Sequence, residues 1–324
     1  MLIRTRKSWE ISESDATPEG IYLNRRSLIK GLAGFAAAGS IAGAPLTARA
    51  QENRAALVAP NNVHYVVDRE ITPEDVNITY NNFYEYGSHK RISADAEAQL
   101  KPRPWQIEID GLVENPITLD VDELVAKMDI EERIYRHRCV EAWSMTVPWI
   151  GFPVRKLVEL VAPLSSAKYL RMETFNDAEM AKGIQSQPWY PWPYVEGITI
   201  AEATNDLPFL AIGAYGKQIA NSMGAPIRLH LPWKYGFKSL KSIVRFSFVE
   251  ERPIGFWEQI SKNSNNEEYG FWANVNPEVA HPRWSQATET VLHTQERVPT
   301  LPFNGYAEEV ASLYVGMDGE QLFR

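Results

Sequence analysis

The 324-residue sequence contains a single cysteine, Cys139. One thiol excludes an internal disulfide, a zinc site built on several cysteines and an iron–sulfur cluster held by this chain alone. The six histidines, at 64, 89, 137, 230, 281 and 293, form no HExxH or HxxxH pair. There is no CxxCH haem-attachment motif, no P-loop, no GxGxxG after a strand and no G-x-S-x-G. Haem attachment, nucleotide cofactors and serine-hydrolase chemistry therefore lack their usual signatures. Positive charge is scarce too. Residues 51–324 hold 26 Lys/Arg against 37 Asp/Glu, a net of −11, so nucleic acid is excluded as a natural partner.

Long apolar runs are also missing. The nearest to one, 31-GLAGFAAAGSIAGA-44, is rich in Gly and Ala and falls short of the roughly 18 residues that mark a membrane span. It follows 24-NRRSLIK-30 and precedes 48-ARA-50. Paired Arg25 and Arg26, a weakly apolar middle and small residues before the cut match a twin-arginine export signal cleaved after Ala50. This reading assigns residues 1–50 to the signal and 51–324 to the mature domain. It expects export, already folded, to the periplasm by the twin-arginine machinery, a route suited to a protein loaded with a complex cofactor before it leaves the cytoplasm.

What the chain has in plenty is aromatic side chains: 10 Trp, 14 Tyr and 12 Phe. Many fall in segments that read as long loops, 186-SQPWYPWPYVEG-197 and 253-PIGFWEQISKNSNNEEYGFW-272. Residues 51–70 read as an extended lead-in, and 80-YNNFYEYG-87 as a loop that lies against something. Alternating or short apolar patterns predict strands over 105–113, 133–139, 167–175, 207–213, 225–233 and 242–250. Asp120 with Glu123 three residues on predicts a capped helix start, and 153-PVRKLVELVA-162 a second helix opened by Pro. Glu131 and Glu132 read as a solvated turn. The fold class expected is α+β, a strand-rich mixed domain.

Alternation along 133-RIYRHRC-139 puts Tyr135, His137 and Cys139 on one face and Arg136 and Arg138 on the other. The imidazole and the flanking guanidiniums are expected to favour the thiolate. On local context alone Cys139 is a buried small hydrophobe, a metal ligand or a nucleophile. A metal on one thiolate must take most of its ligands from a cofactor. A second cluster, 228-RLHLPWKYGFKSLKS-242, gathers Arg228, Lys234, Lys238 and Lys241 around an aromatic turn that could grip a phosphate or form a solvated face.

Together, 80-YNNFYEYG-87, 138-RCVEAWSMTVPWIGFPV-154, 224-GAPIRLHLPWKYGFKSLKSI-243, 270-GFWANVNP-277, 282-PRWSQATE-289 and 303-FNGYAEEVASLY-314 resemble the molybdopterin-dependent sulfite oxidase superfamily. Within it they resemble most the branch of bacterial periplasmic protein-methionine-sulfoxide reductase catalytic subunits. The resemblance implies that Cys139 is the protein ligand to molybdenum and the catalytic residue of a molybdenum-molybdopterin centre. It also implies cofactor contacts from Asn81, Tyr84, Glu85, Thr174, Arg228, Ser239, Leu240 and Lys241. Arg228 and Lys241 suit the terminal phosphate of the pterin, while Asn81, Glu85 and Thr174 suit its ring edges. Met223 stands where that branch usually has Asn, which puts one pterin contact in question. Electrons are expected from a haem-containing membrane subunit fed by the quinone pool, and the substrates are oxidised periplasmic proteins. Sulfite-oxidising members carry arginines after the cysteine; Glu141 and Trp143 here favour a neutral sulfoxide instead. A sulfite or small S-/N-oxide oxidoreductase on the same scaffold is the alternative. Trp143 and Tyr235 are expected to line the substrate mouth.

Overall fold

The computed structural model describes residues 54–264 and 268–324; the twin-arginine segment lies outside the described residues. Its strands, in chain order, are β1 (Gln106–Gly111), β2 (Ile117–Asp120), β3 (Glu131–Cys139), β4 (Trp143–Pro153), β5 (Tyr169–Thr174) and β6 (Val195–Thr199). They continue with β7 (Phe209–Ala214), β8 (Lys217–Gln218), β9 (Arg228–His230), β10 (Ile243–Val249), β11 (Thr288–Val291) and β12 (Arg297–Pro299). Alternation builds β1 as expected: Ile107 and Ile109 are buried between exposed neighbours. β1 pairs antiparallel with β2 and parallel with β10, giving a sheet of order β2-β1-β10-β5-β6.

A second sheet runs β12-β11-β4-β7-β8, with β3 on β4 and β9 on β7. β4 is its hub. It pairs along its length with β3, near its start with β11 and near its end with β7, and all its residues are buried. Sequence pattern gives no strand here, because Pro148 and Gly151 read as breakers. Pro148 is tolerated because Ile134, opposite it on β3, donates its N–H to the Tyr65 carbonyl of the lead-in instead. On the other side the Pro148 carbonyl still accepts from the Tyr215 N–H just past β7 at 3.2 Å, so the strand loses only one donor at the end of that pairing. Glu131 and Glu132 open β3 rather than forming a turn.

Asp120 caps the helix Val121–Val125 in a reciprocal box with Glu123. The helix Val154–Val161 follows Pro153 and buries Val154, Leu157, Val158 and Val161. A helix at Phe256–Asn263 interrupts the segment expected to be loop. Apolar residues of both sheets share one continuous core. Among the described residues no helix is long and apolar enough to cross a membrane. The chain passes from β9 in the larger sheet to β10 in the smaller one through residues 231–242. That crossing meets the ends of β3 and β5 and the loop 80–87, and there the site forms.

Candidate functional site

Cys139 closes β3 and starts the turn Val140-Glu141-Ala142 back into β4. Ala142 donates its N–H to the Cys139 carbonyl at 3.1 Å and takes a left-handed φ of 61°, the geometry of a three-residue hairpin loop. The turn aims the Glu141 backbone N–H at Cys139 Sγ at 3.4 Å, and Asn82 Nδ2 approaches the same sulfur at 3.7 Å. Cys139 faces a cleft that holds about 910 Å³ of space, open solvent at its mouth included. Asn81, Tyr84, Glu85, Cys139, Thr174, Arg228, Ser239, Leu240 and Lys241 all line it. The approach of the 231–242 crossing to β3 depends on Gly236, where a Cβ would lie 2.6 Å from His137 Cε1.

Two buried cations in the cleft have no carboxylate bonded to them among the described residues. Arg228, 5% exposed, donates only to the main-chain carbonyls of Leu229, Met223 and Ser239 at 3.1, 3.1 and 3.2 Å. Its guanidinium lies 4.9 Å from the Trp149 ring centroid, and burial pulls its pKa down to about 9. Lys241 donates to the Asn82 carbonyl at 2.5 Å and to Asn81 Oδ1 at 3.4 Å. Burial and then the neighbouring Arg228 push its ammonium well below the usual lysine range. Glu85 accepts from Thr174 Oγ1 at 2.9 Å, and burial raises its carboxyl to about 7 against that bond and the charge of Lys241. Unpaired buried cations beside a lone thiol and neutral donors form a donor set that fits an anionic, sulfur-ligated metal cofactor.

Several expectations are corrected by this geometry. The basic flank of Cys139 is outweighed: burial, then the Glu141 carboxylate, pushes the thiol up to about 12 against the opposing charges of Lys90 and Arg138. Arg138 points to the opposite face of β3, fully buried against Glu289 Oε2 at 2.9 Å and Gln286 Oε1 at 2.8 Å. Arg136 turns to the Asn304 carbonyl. Burial, aided by Arg228 and Lys241, lowers His137 to about 3, so it is a neutral imidazole. Lys234 pairs with Glu202 at 2.6 Å and Lys238 with Glu196 at 2.5 Å, which takes half of the basic cluster out of the cleft.

Tyr235 does not reach the mouth either. It packs on Ala273 and Val275 and lines a separate small cavity. Trp143 does line the cleft, donating Nε1–H to Glu141 Oε2 at 3.0 Å. Met223 keeps its side chain in the core and offers its carbonyl to Arg228, while Asn221 bonds the Ala96 and Leu100 carbonyls. The sequence singles out neither Asn82 nor Lys90, while Trp257 and Tyr269 belong to the aromatic-rich segment 253–272. Asn82, Trp257 and Tyr269 line the cleft, and Lys90 binds Glu141 there. Asn82 stands inside a quoted motif; Lys90 carries no spacing signal.

The oxidoreductase molybdopterin binding domain family matches residues 94–257. The protein-methionine-sulfoxide reductase catalytic subunit MsrP of Burkholderia mallei is 45% identical over 97% of this chain and 96% of its own length. The crystal structure of the sulfane dehydrogenase SoxCD from Paracoccus pantotrophus aligns with a TM-score of 0.44 at 16% identity, covering 73% of this chain and 60% of that one. On the strength of the family match and the full-length relative, the chain belongs to the molybdopterin-binding oxidoreductases, in the family of protein-methionine-sulfoxide reductase catalytic subunits.

Proposed function

We propose that the protein reduces methionine sulfoxide residues of periplasmic proteins to methionine at a molybdenum-molybdopterin centre whose protein ligand is Cys139. The observation that carries this reading is the meeting of one buried thiol with two buried, carboxylate-free cations in a single cleft. When bound, the centre supplies two-electron oxygen-atom transfer. The net reaction takes two electrons and two protons, converts the sulfoxide to a thioether and releases water.

The residues of the chain bind, orient and select. Arg228 and Lys241 hold the anionic end of the cofactor. Asn81, Glu85 and Thr174 meet its ring edges, and Tyr84, Ser239 and Leu240 contact it along the cleft wall. Glu141 stands two residues from the ligand. Burial would raise its pKa, but hydrogen bonds from Lys90, Trp143 and Asn82 and the charge of Lys90 hold it below the usual carboxylate range. Paired with Glu141, Lys90 is not a free cation that could hold sulfite, and a neutral sulfoxide needs none. The aromatic wall of Trp143, Trp257 and Tyr269 accommodates an apolar thioether side chain.

With no haem motif and one cysteine in the chain, electrons come from outside it. The word "subunit" in the name of the Burkholderia mallei relative supports a partner, read here as a haem-containing membrane protein drawing on quinones. Export through the twin-arginine machinery, with cleavage after Ala50, brings the loaded enzyme to the periplasm. The test is the purified mature protein with an artificial reductant, assayed by mass spectrometry for sulfoxide loss from an unfolded oxidised protein. Reduction at least as efficient per sulfoxide as for a small sulfoxide is expected. Activity confined to sulfite or small S- or N-oxides would overturn the reading.

A further inference from the structure

Lys90 lies just past the loop that carries Asn81 and Glu85, and its ammonium reaches back beside Cys139. It donates to Asn82 Oδ1 and to both oxygens of Glu141, at 2.8 Å for Oε1 and 2.6 Å for Oε2. An ammonium offers donors only, so the amide of Asn82 must present its oxygen to Lys90 and its NH₂ away from it. Nδ2 then faces Cys139 Sγ at 3.7 Å, with Glu141 Oε2 at 3.5 Å as a competing acceptor. The backbone of Asn82 is fixed independently, since its carbonyl accepts from Lys241.

We propose that Lys90 is a positioning residue for the metal ligand, which holds the Asn82 N–H on the Cys139 sulfur and thereby sets the redox potential of the centre. Lys90 acts in two ways. It anchors the amide oxygen, and it pairs with both oxygens of Glu141, which weakens the pull of a carboxylate that also accepts from Nδ2 at 3.5 Å and keeps an amide N–H within reach of the sulfur. An N–H donated to a ligating thiolate withdraws electron density from it and favours the reduced metal, so losing that bond lowers the potential. The inference rests on the proposed cofactor.

The test is a redox titration of the molybdenum couple in the holoenzyme, followed by the paramagnetic signal of the metal, with metal content measured in parallel. Lys90→Met and Asn82→Ala should each lower the midpoint potential. Lys90→Arg, which keeps charge and donors, should stay near wild type. In the double variant Lys90→Met should add nothing to Asn82→Ala, which separates positioning from the direct field of the ammonium. An unchanged potential in Lys90→Met, or full additivity in the double variant, overturns the proposal. Should Lys90→Met lose the metal, Asn82→Asp decides: it keeps the Lys90 contact but removes the donor, and an unchanged potential there is equally fatal. Absence of any molybdenum signal in the wild type would instead overturn the cofactor reading.

Discussion

Replacing Arg228 by methionine separates a cation kept for a ligand from one kept for the fold. In the cofactor-free protein Arg228 is buried with only carbonyl partners. The fall of its pKa from an ordinary 12.5 to about 9 corresponds to ~5 kcal/mol of desolvation carried by the folded state at neutral pH. Methionine removes that burden but strands three carbonyl acceptors, each costing about 1–1.5 kcal/mol. The two effects nearly cancel, so the cofactor-free variant should unfold within ~2 kcal/mol of wild type. Arg138→Met is the contrast: it takes one of two cations from the buried Glu289, leaving it Arg69 and Thr300, strands the buried Gln286 amide oxygen and Cys139 carbonyl, and should cost about 3–5 kcal/mol. The assay is urea unfolding of both variants purified from a host unable to make molybdopterin, together with molybdenum content from a competent host. Arg228→Met should lose the cofactor with little loss of stability. If it instead destabilises as much as Arg138→Met and still binds a full complement of molybdenum, the assignment of Arg228 to an anionic ligand is wrong.

Glu85, raised to about 7 by burial, keeps its proton in the folded state between about pH 4.5 and 7 while the unfolded chain has lost it. Stability of the cofactor-free protein should therefore fall by ~3 kcal/mol as pH rises across that window, and Glu85→Gln should flatten the slope in urea titrations at pH 5 and pH 8. Gly224 has φ +102° and would place a Cβ 2.6 Å from Lys241 Cβ. Gly224→Ala should thus cost about 2–4 kcal/mol by unfolding and lower molybdenum content as Lys241 is displaced. Arg25→Lys with Arg26→Lys should keep the protein in the cytoplasm on fractionation, because the signal is read as paired guanidiniums rather than as charge.

The parts of the structure legible in the sequence are those that local rules decide. The alternation of β1 and β3 and the Asp120 box emerge from residue order alone, and the quoted motifs hold eight of the nine expected cofactor residues found in the cleft, with Thr174 at the end of the strand expected over 167–175. The errors share one cause, partners distant in sequence. Lys234 and Lys238 read as free cations because Glu202 and Glu196 are 32 and 42 residues away. Arg138 read as an activator of the neighbouring thiol because Glu289 comes 151 residues later. β4 was hidden by a proline that only the arrangement of β3 and β7 makes tolerable. Lys90 was invisible for the same reason: its meaning depends on Glu141, 51 residues on.

The central claim is that the Cys139 thiolate holds the metal that reduces protein methionine sulfoxide. Its most direct test is molybdenum per chain and turnover on an oxidised, unfolded protein, measured side by side for wild type and Cys139→Ser. An alkoxide is a hard, poor substitute for a soft thiolate. The account predicts close to one molybdenum per wild-type chain, with both activity and thiolate-ligated metal lost in the variant. A Cys139→Ser protein that reduces methionine sulfoxide at a near-normal rate would contradict it.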